Sequence, residues 1–223
     1  MSLDSLHSSF RSMTEIGGWP EEILSIGEVR RFERREALHK QGQPSLSVHL
    51  LLMGKVLREY EGRDGARIIL DIHRRADLIG LTGFFDGGAH PDTSTAHTRG
   101  AALCIPHGEF QRFLSRYPEA NRVFKQQVAR RYRHDTAWAT SMATDRVETR
   151  IRQLLCDLSD RFGVWGDVRG LLLDLGLTRA ELASLAGTTL ETVIRTVNKL
   201  RDDGLLTPDG RRFFIPDPEA LRP

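Results

Sequence analysis

The rhythm of apolar and polar positions changes twice along the 223 residues. From Val29 to about Ile105 the apolar runs are short. Gly42, Gly54, Asp64-Gly65, Gly80 and Gly83 punctuate them, which is the texture of strands and turns. Ile68, Leu70 and Ile72 alternate, as a half-buried strand requires. Asp64-Gly65, between EYEGR and ARIILDI, predicts a hairpin because both residues tolerate positive φ. Strands at this spacing predict a barrel or roll. Residues 1–23 read as a lead-in with a short helix.

Beyond Ile105 the period lengthens to that of helices. Glu109 to Leu114 reads as helical, and Tyr117-Pro118 marks a break, since a residue before proline avoids the α region. From Glu119 to Met142 there is no Gly or Pro, which predicts one long helix. Phe124, Val128, Tyr132, Ala139 and Met142 fall near one face of it. That stripe needs a partner, either its own roll or a second copy of the chain; the spacing and length favour the second copy. Asp145 reads as the N-cap of a further helix carrying Val147, Ile151, Leu154, Leu155 and Leu158.

The second change of rhythm is an interruption. In LTRAELASLAGTTLETVIRTVNKLRDDGLL, Thr178 and Glu181 form a capping box. Leu182, Leu185 and Ala186 supply an apolar face, Gly187 supplies the left-handed residue that ends a helix, and Thr189 caps the next one. Val193, Val197 and Leu200 form its buried side. This predicts a helix-turn-helix, with the small Ala183 at the crossing. At about 100° per residue, Leu190, Glu191, Ile194 and Arg195 point the opposite way. Leu and Ile beside Glu and Arg suit a helix in a DNA major groove, where Arg reads guanine, Glu accepts from cytosine and apolar groups meet thymine methyls. LLTPDGRRFFIP then reads as a hairpin turning at Pro208-Asp209-Gly210. It makes the wing of a winged helix, with Arg211 and Arg212 facing phosphates.

Composition narrows the class. At 223 residues the chain is long enough for two domains or one large one, and 39% hydrophobic residues suffice for real cores. No apolar run reaches the roughly 18 residues of a membrane span. MSLDSLHSSFRSM lacks the charged and apolar regions of a secretion signal. The only cysteines, Cys104 and Cys156, make no disulfide framework. The expectation is a cytoplasmic protein without a membrane partner. Residues 111–152 carry ten Lys/Arg against four Asp/Glu, whereas the segment from Gln153 onward is slightly acidic. DNA binding therefore rests on the motif rather than on bulk charge.

On these segments, with HLLLMGKVLREYEGRDGARIILDIHRRADLIGLTGFF and ARRYRHDTAWATSMATDRVETRIRQLL, the chain resembles the CRP/FNR family of bacterial transcription regulators over nearly its full length. The resemblance implies an α+β protein: a jelly-roll-like β roll over 1–116, a dimerisation helix over 117–144 and a winged helix-turn-helix over 145–223. It implies a homodimer on a two-fold symmetric double-stranded DNA operator, and contact with RNA polymerase. Glu191 and Arg195 stand at the family's base-reading positions. Leu190 stands where the cAMP-dependent branch has Arg, and Ile194 where the FNR branch has Ser, which leaves the outer base of the half-site open. Thr178, Arg179, Thr189 and Thr192 match phosphate-touching positions.

The effector cassette of the family departs further. Gly80-Leu81 replaces Gly-Glu, Thr93-Ser94-Thr95 replaces Arg-Ser-Ala, and Asp135-Thr136 replaces Thr-Ser on the long helix. The ribose acceptor and the arginine expected opposite a cyclic phosphate are missing, with Arg99 on the following strand. cAMP is not expected. Two cysteines cannot ligate an iron–sulfur cluster of the four-cysteine kind. Haem through His49, His73, His90, His97 or His107 is a minor alternative, and no cofactor is identifiable. Cys104 reads as a buried small hydrophobe. No nucleophile–base pair, metal-ligand spacing or phosphate loop points to an enzyme. The alternative to a DNA-binding regulator is a cyclic-nucleotide signalling module whose C-terminal helices bind protein.

Overall fold

The computed structural model describes residues 17–166 and 169–223, which form two compact units dividing between Arg133 and His134. Most of the expected lead-in lies outside the described residues; Glu21–Ser25, at its end, forms a 3₁₀ turn.

The first unit carries eight strands: β1 (Glu28–Phe32), β2 (Ala37–His39), β3 (Ser47–Met53), β4 (Val56–Glu61), β5 (Arg67–His73), β6 (Leu78–Ile79), β7 (Thr93–Ala96) and β8 (Gly100–Pro106). They pair antiparallel in two four-stranded sheets, ordered β1-β8-β3-β6 and β2-β7-β4-β5. Phe32, Leu38, Leu51, Val56, Ile79, Ala96 and Ala102 fill the space the sheets share. Helix α1 (Leu81–Asp86) follows β6, and α2 (His107–Arg116) follows β8. Tyr117 alone separates α2 from the long α3 (Pro118–Thr144).

The hairpin at Asp64-Gly65 forms, with a difference. Its loop is five residues long, closed by Gly62 N–H donating to Ala66 O and Ala66 N–H donating to Asp64 Oδ1; only Gly65 has positive φ. The simple alternation of β5 does not hold. Pairing with β4 shifts between Arg58 and Glu59, so Leu70 is skipped. Ile69, Asp71, Ile72 and His73 are buried, while Ile68 is at the surface. A bulge inserts one residue and exchanges the faces beyond it. Arg99 lies in the bend before β8, not on the strand.

A larger apolar cluster joins β3 and β8 to α2 and the start of α3, and it includes Trp19, Ile23, Phe110, Val123 and Phe124. This corrects the expectation that the stripe of α3 has no partner in its own chain. Phe124 is 6% exposed and packs on Phe84, Phe85 and Phe110, and Val128 is partly covered by the same cluster. An aromatic ring on the first turns of a helix buries more area against its own roll than an idealised stripe suggests. Gln127 completes the seam: its Oε1 accepts from Leu78 N–H at 2.9 Å and its Nε2 donates to Ala76 O at 2.7 Å.

The second unit contains α4 (Val147–Phe162), β9 (Val164–Trp165), β10 (Leu171–Asp174), α5 (Arg179–Leu185), α6 (Leu190–Asp202), β11 (Thr207–Asp209), β12 (Arg212–Ile215) and α7 (Pro218–Leu221). Its sheet runs β11-β12-β10-β9. Arg146, not Asp145, is the N-cap of α4, and no side chain caps it; Asp145 Oδ1 instead accepts from Thr144 Oγ1. The wing turns one residue later than expected: Asp209 pairs with Arg212, leaving Gly210-Arg211 as a two-residue turn with Gly210 at φ 58°.

Candidate nucleic-acid interface and effector pocket

The helix-turn-helix is built by local rules. Thr178 Oγ1 accepts from Glu181 N–H at 3.1 Å, and the Glu181 carboxylate accepts from Thr178 N–H at 2.7 Å, closing the box that starts α5. Gly187 takes φ 58°, and Thr188 N–H donates back to Ala183 O. Thr189 Oγ1 accepts from Thr192 N–H at 3.3 Å, starting α6.

The inner face of α6 is buried through Val193, Thr196, Val197 and Leu200. Its outer face carries the four expected base-reading residues together: Leu190 is 40% and Ile194 45% exposed, with Glu191 and Arg195 beside them in solvent. Glu191, Ile194, Arg195, Asn198, Lys199 and Asp202 line one shallow open depression. The backbone N–H at the start of α6 and the Thr189 hydroxyl hold the Glu191 carboxyl below its usual range, as the positive end of a helix should. It is an acceptor at neutral pH.

The expected phosphate-facing residues divide into two groups. Thr178, Thr189 and Thr192 are engaged in caps at the edge of this face. Arg179 lies over the Phe213 ring at 4.4 Å and donates to Gly210 O at 3.2 Å, tying α5 to the wing. Arg211 is exposed at the wing tip, where Nη1 donates to Gly176 O at 3.4 Å, while Arg212 pairs with Asp174 at 2.9 Å.

The expected effector residues are less unified. Gly80, at φ 81°, starts α1; a Cβ there would lie 3.1 Å from His90 Cε1 and 3.7 Å from His39 Nδ1. Leu81 packs against the larger apolar cluster. Thr93 Oγ1 accepts from Gln41 N–H at 3.0 Å, and Ser94 is buried with a hydroxyl lacking a protein partner. Asp135, next to His134 at 3.4 Å, and the exposed Thr136 fall in the second unit.

Beside Gly80, two of the histidines named above as haem candidates, His90 and His49, come together with His39, Asp92 and Arg58, which no motif singles out. The His39 and His90 rings stack at 3.7 Å and 5°. Asp92 joins them: Oδ1 lies 3.3 Å from His39 Nε2 and Oδ2 lies 3.7 Å from Arg58 Nη1. A carboxylate only accepts, so His39 Nε2 carries the hydrogen and its buried Nδ1 has no protein partner. His49, 6.5 Å from His39, is also buried. Burial first, then the neighbouring positive groups, pushes His49 and His90 down to about 4, so both are neutral at pH 7. Arg58 stands in VLREYE beside Glu59 and Glu61, so no local pattern marks it as part of this cluster. Farther along, Asp71 pairs with Arg131 at 3.1 Å and His73 lies 3.5 Å from the same guanidinium. Cys104 is half-buried, its thiol 3.4 Å from Ser47 Oγ, rather than fully buried; Cys156 is buried, which raises its thiol pKa.

Comparison with known proteins agrees with this division. Residues 29–117 match the cyclic nucleotide-binding domain family and residues 149–223 the Crp-like helix-turn-helix domain family. The chain is 25% identical to the CRP-like cAMP-activated global transcriptional regulator of Mycobacterium tuberculosis, over 85% of this chain and 84% of that one. It is 26% identical to the transcriptional activator protein Anr of Pseudomonas aeruginosa, over 88% and 82%. In fold it is similar to FixK2 from Bradyrhizobium japonicum, with a TM-score of 0.78 at 20% identity, covering 88% of this chain and 96% of that one.

Proposed function

Since the chain belongs to the CRP/FNR family of transcription regulators, we propose that it is a sequence-specific DNA-binding regulator acting as a homodimer on a two-fold symmetric operator. The observation that carries this reading is the outward row Leu190, Glu191, Ile194 and Arg195 on a helix whose other side is buried. Arg195 donates in bidentate fashion to guanine and Glu191 accepts from the cytosine amino group, giving half-sites with a TGA-like core about one DNA turn apart. Leu190 and Ile194 contact thymine methyls, and neither can donate to guanine. Thr178, Arg179, Thr189, Thr192 and the wing arginines serve the phosphates, and RNA polymerase is the protein partner expected of this family.

The dimer uses α3. Lys125, Ala129, Tyr132 and Thr136 follow a four-three-four spacing, and Tyr132 is 73% exposed. That is the spacing of a two-helix seam. Met142 does not join it, because its sulfur packs where a side chain on Gly187 would stand.

We infer that cAMP is not the effector. Leu81 offers no acceptor to a ribose, and Asp92 sets a carboxylate 3.7 Å from Arg58 in the region beside Gly80.

Selection of operators from random DNA tests the reading. The expected product is an inverted repeat containing a G·C pair that depends on Arg195. A bidentate Arg–guanine contact is worth about 1–3 kcal/mol, so Arg195→Ala in both subunits should cost about 2–6 kcal/mol. Arg211→Ala should weaken all sequences alike and reduce the salt dependence. Selected sites without an inverted repeat would defeat the proposal.

A further inference from the structure

The turn between α5 and α6 exposes a series of carbonyls that its own backbone leaves open. Its N–H groups are satisfied locally: Ala186 donates to Leu182 O, Gly187 to Ser184 O and Thr188 to Ala183 O. The carbonyls of Leu185, Ala186 and Gly187 are instead satisfied from outside the motif. Trp138 Nε1, on α3, donates to Leu185 O at 3.3 Å. Arg150, on α4, donates Nε to Ala186 O at 3.2 Å and Nη2 to Gly187 O at 3.0 Å. Its third nitrogen, Nη1, donates to Asp145 O at 3.3 Å, which fixes the guanidinium at its other end. Met142 lies against Gly187, within 2.6 Å of where a Cβ would be.

We propose that Arg150 and Trp138 are positioning residues for α6, holding the turn so that Glu191 and Arg195 meet base edges in register. This inference rests on the reading of α6 as the DNA-reading helix. A guanidinium is a planar fork, and gripping two successive carbonyls fixes the orientation of their peptide planes. An arginine at the C-terminal end of α5 also opposes the partial negative charge of those carbonyls. The lever is long. Arg195 lies eight residues beyond Gly187. At 1.5 Å per residue a tilt of ~10° about the turn displaces it by ~2 Å. Hydrogen-bond distances tolerate only a few tenths of an ångström, so a bidentate contact fails well before that. Contacts to the phosphate backbone are less exacting, because attraction between charges falls off gradually with distance. Loosening the brace therefore affects selectivity before it affects overall affinity.

The test uses the full-length chain with Arg150→Ala, Arg150→Lys and Trp138→Phe. Trp138→Phe keeps a six-membered aromatic ring and removes the Nε1 donor, so it stays informative if an arginine variant folds poorly. Two readouts are taken. The first is the affinity ratio between the selected operator and scrambled DNA of equal length. The expectation is a ratio lowered about tenfold or more in Arg150→Ala, with scrambled-DNA binding changed less than about threefold. Arg150→Lys, which keeps the charge and loses the fork, should fail to restore the ratio. Trp138→Phe should lower it more modestly. The second readout is amide hydrogen exchange in the DNA-free protein. Exchange should rise in the turn and the first turn of α6 while β10 and β12 keep their protection. Selected and scrambled affinities falling by one common factor, or unchanged exchange across residues 186–193, would overturn the proposal. A wild-type chain that selects no sequence at all would overturn the reading of α6 instead, and the exchange experiment would still decide the brace.

Discussion

Two aromatic residues on α3 should respond to mutation in opposite ways, because one faces its own roll and the other faces solvent. Phe124 is 6% exposed, with Phe84, Phe85 and Phe110 rings 5.4–5.6 Å away. Phe124→Ala removes a ring from a packed cluster and should cost about 3–5 kcal/mol of folding stability. For a unit of this size that lowers the melting temperature by on the order of 10 °C. Tyr132 is 73% exposed in the single chain, so Tyr132→Asp should change protomer folding by no more than about 0.5 kcal/mol. In a two-fold dimer the same substitution sets two unpaired carboxylates in one seam. That should weaken association by about 3 kcal/mol, a hundredfold or more. Sedimentation equilibrium and thermal melting, both across a range of protein concentrations, separate the two effects, since loss of a partner also lowers apparent stability by mass action. An undisturbed dimer in Tyr132→Asp would remove the outward row of α3 from the interface. Unaltered melting in Phe124→Ala would contradict the burial of that ring.

The histidines of the roll predict a pH dependence. His49 is held neutral in the fold at about 4 against 6.5 for the free side chain, so the unfolded chain binds more protons between those values. Its contribution is therefore complete above about pH 6.5 and is lost as pH falls toward 4, on the order of 3 kcal/mol in total. His90 acts in the same direction. Denaturant unfolding at a series of pH values checks this, and His49→Leu should flatten the slope; a slope unchanged by that substitution would refute the assignment. Calorimetry with cAMP should show no binding near micromolar concentration, and tight binding would mean that the pocket has been misread.

The parts of the protein that follow local rules were legible in the sequence. The capping box of Thr178 and Glu181, the left-handed Gly187 and the alternation of buried and exposed positions along α6 each depend on a few neighbouring residues. The structure has them where the pattern puts them. What was not legible depends on pairing between distant segments. A bulge opposite Arg58 exchanges the faces of β5 beyond Leu70, and Asp71 and His73 are covered beside Arg131 of the long helix. His39 reaches Asp92 only because β2 pairs with β7. Nothing near residue 39 in the chain announces a partner 53 positions later. The burial of Phe124 against its own roll is hidden for a related reason: helical spacing identifies an apolar face but not which surface covers it.

The linkage of His39, Asp92 and Arg58 bears on how such a pocket can change over time. Asp92 answers two neighbours at once, one with each oxygen. Asp92→Arg, the exchange that would put a phosphate counter-charge near its family position, would first set two guanidiniums against each other and strip His39 of its acceptor. Arg58→Val alone would leave a partly buried carboxylate without its cation. Each single step is costly because it leaves an uncompensated charge away from water. The two positions are therefore coupled: a second positive charge fits at position 92 only where position 58 is exchanged as well.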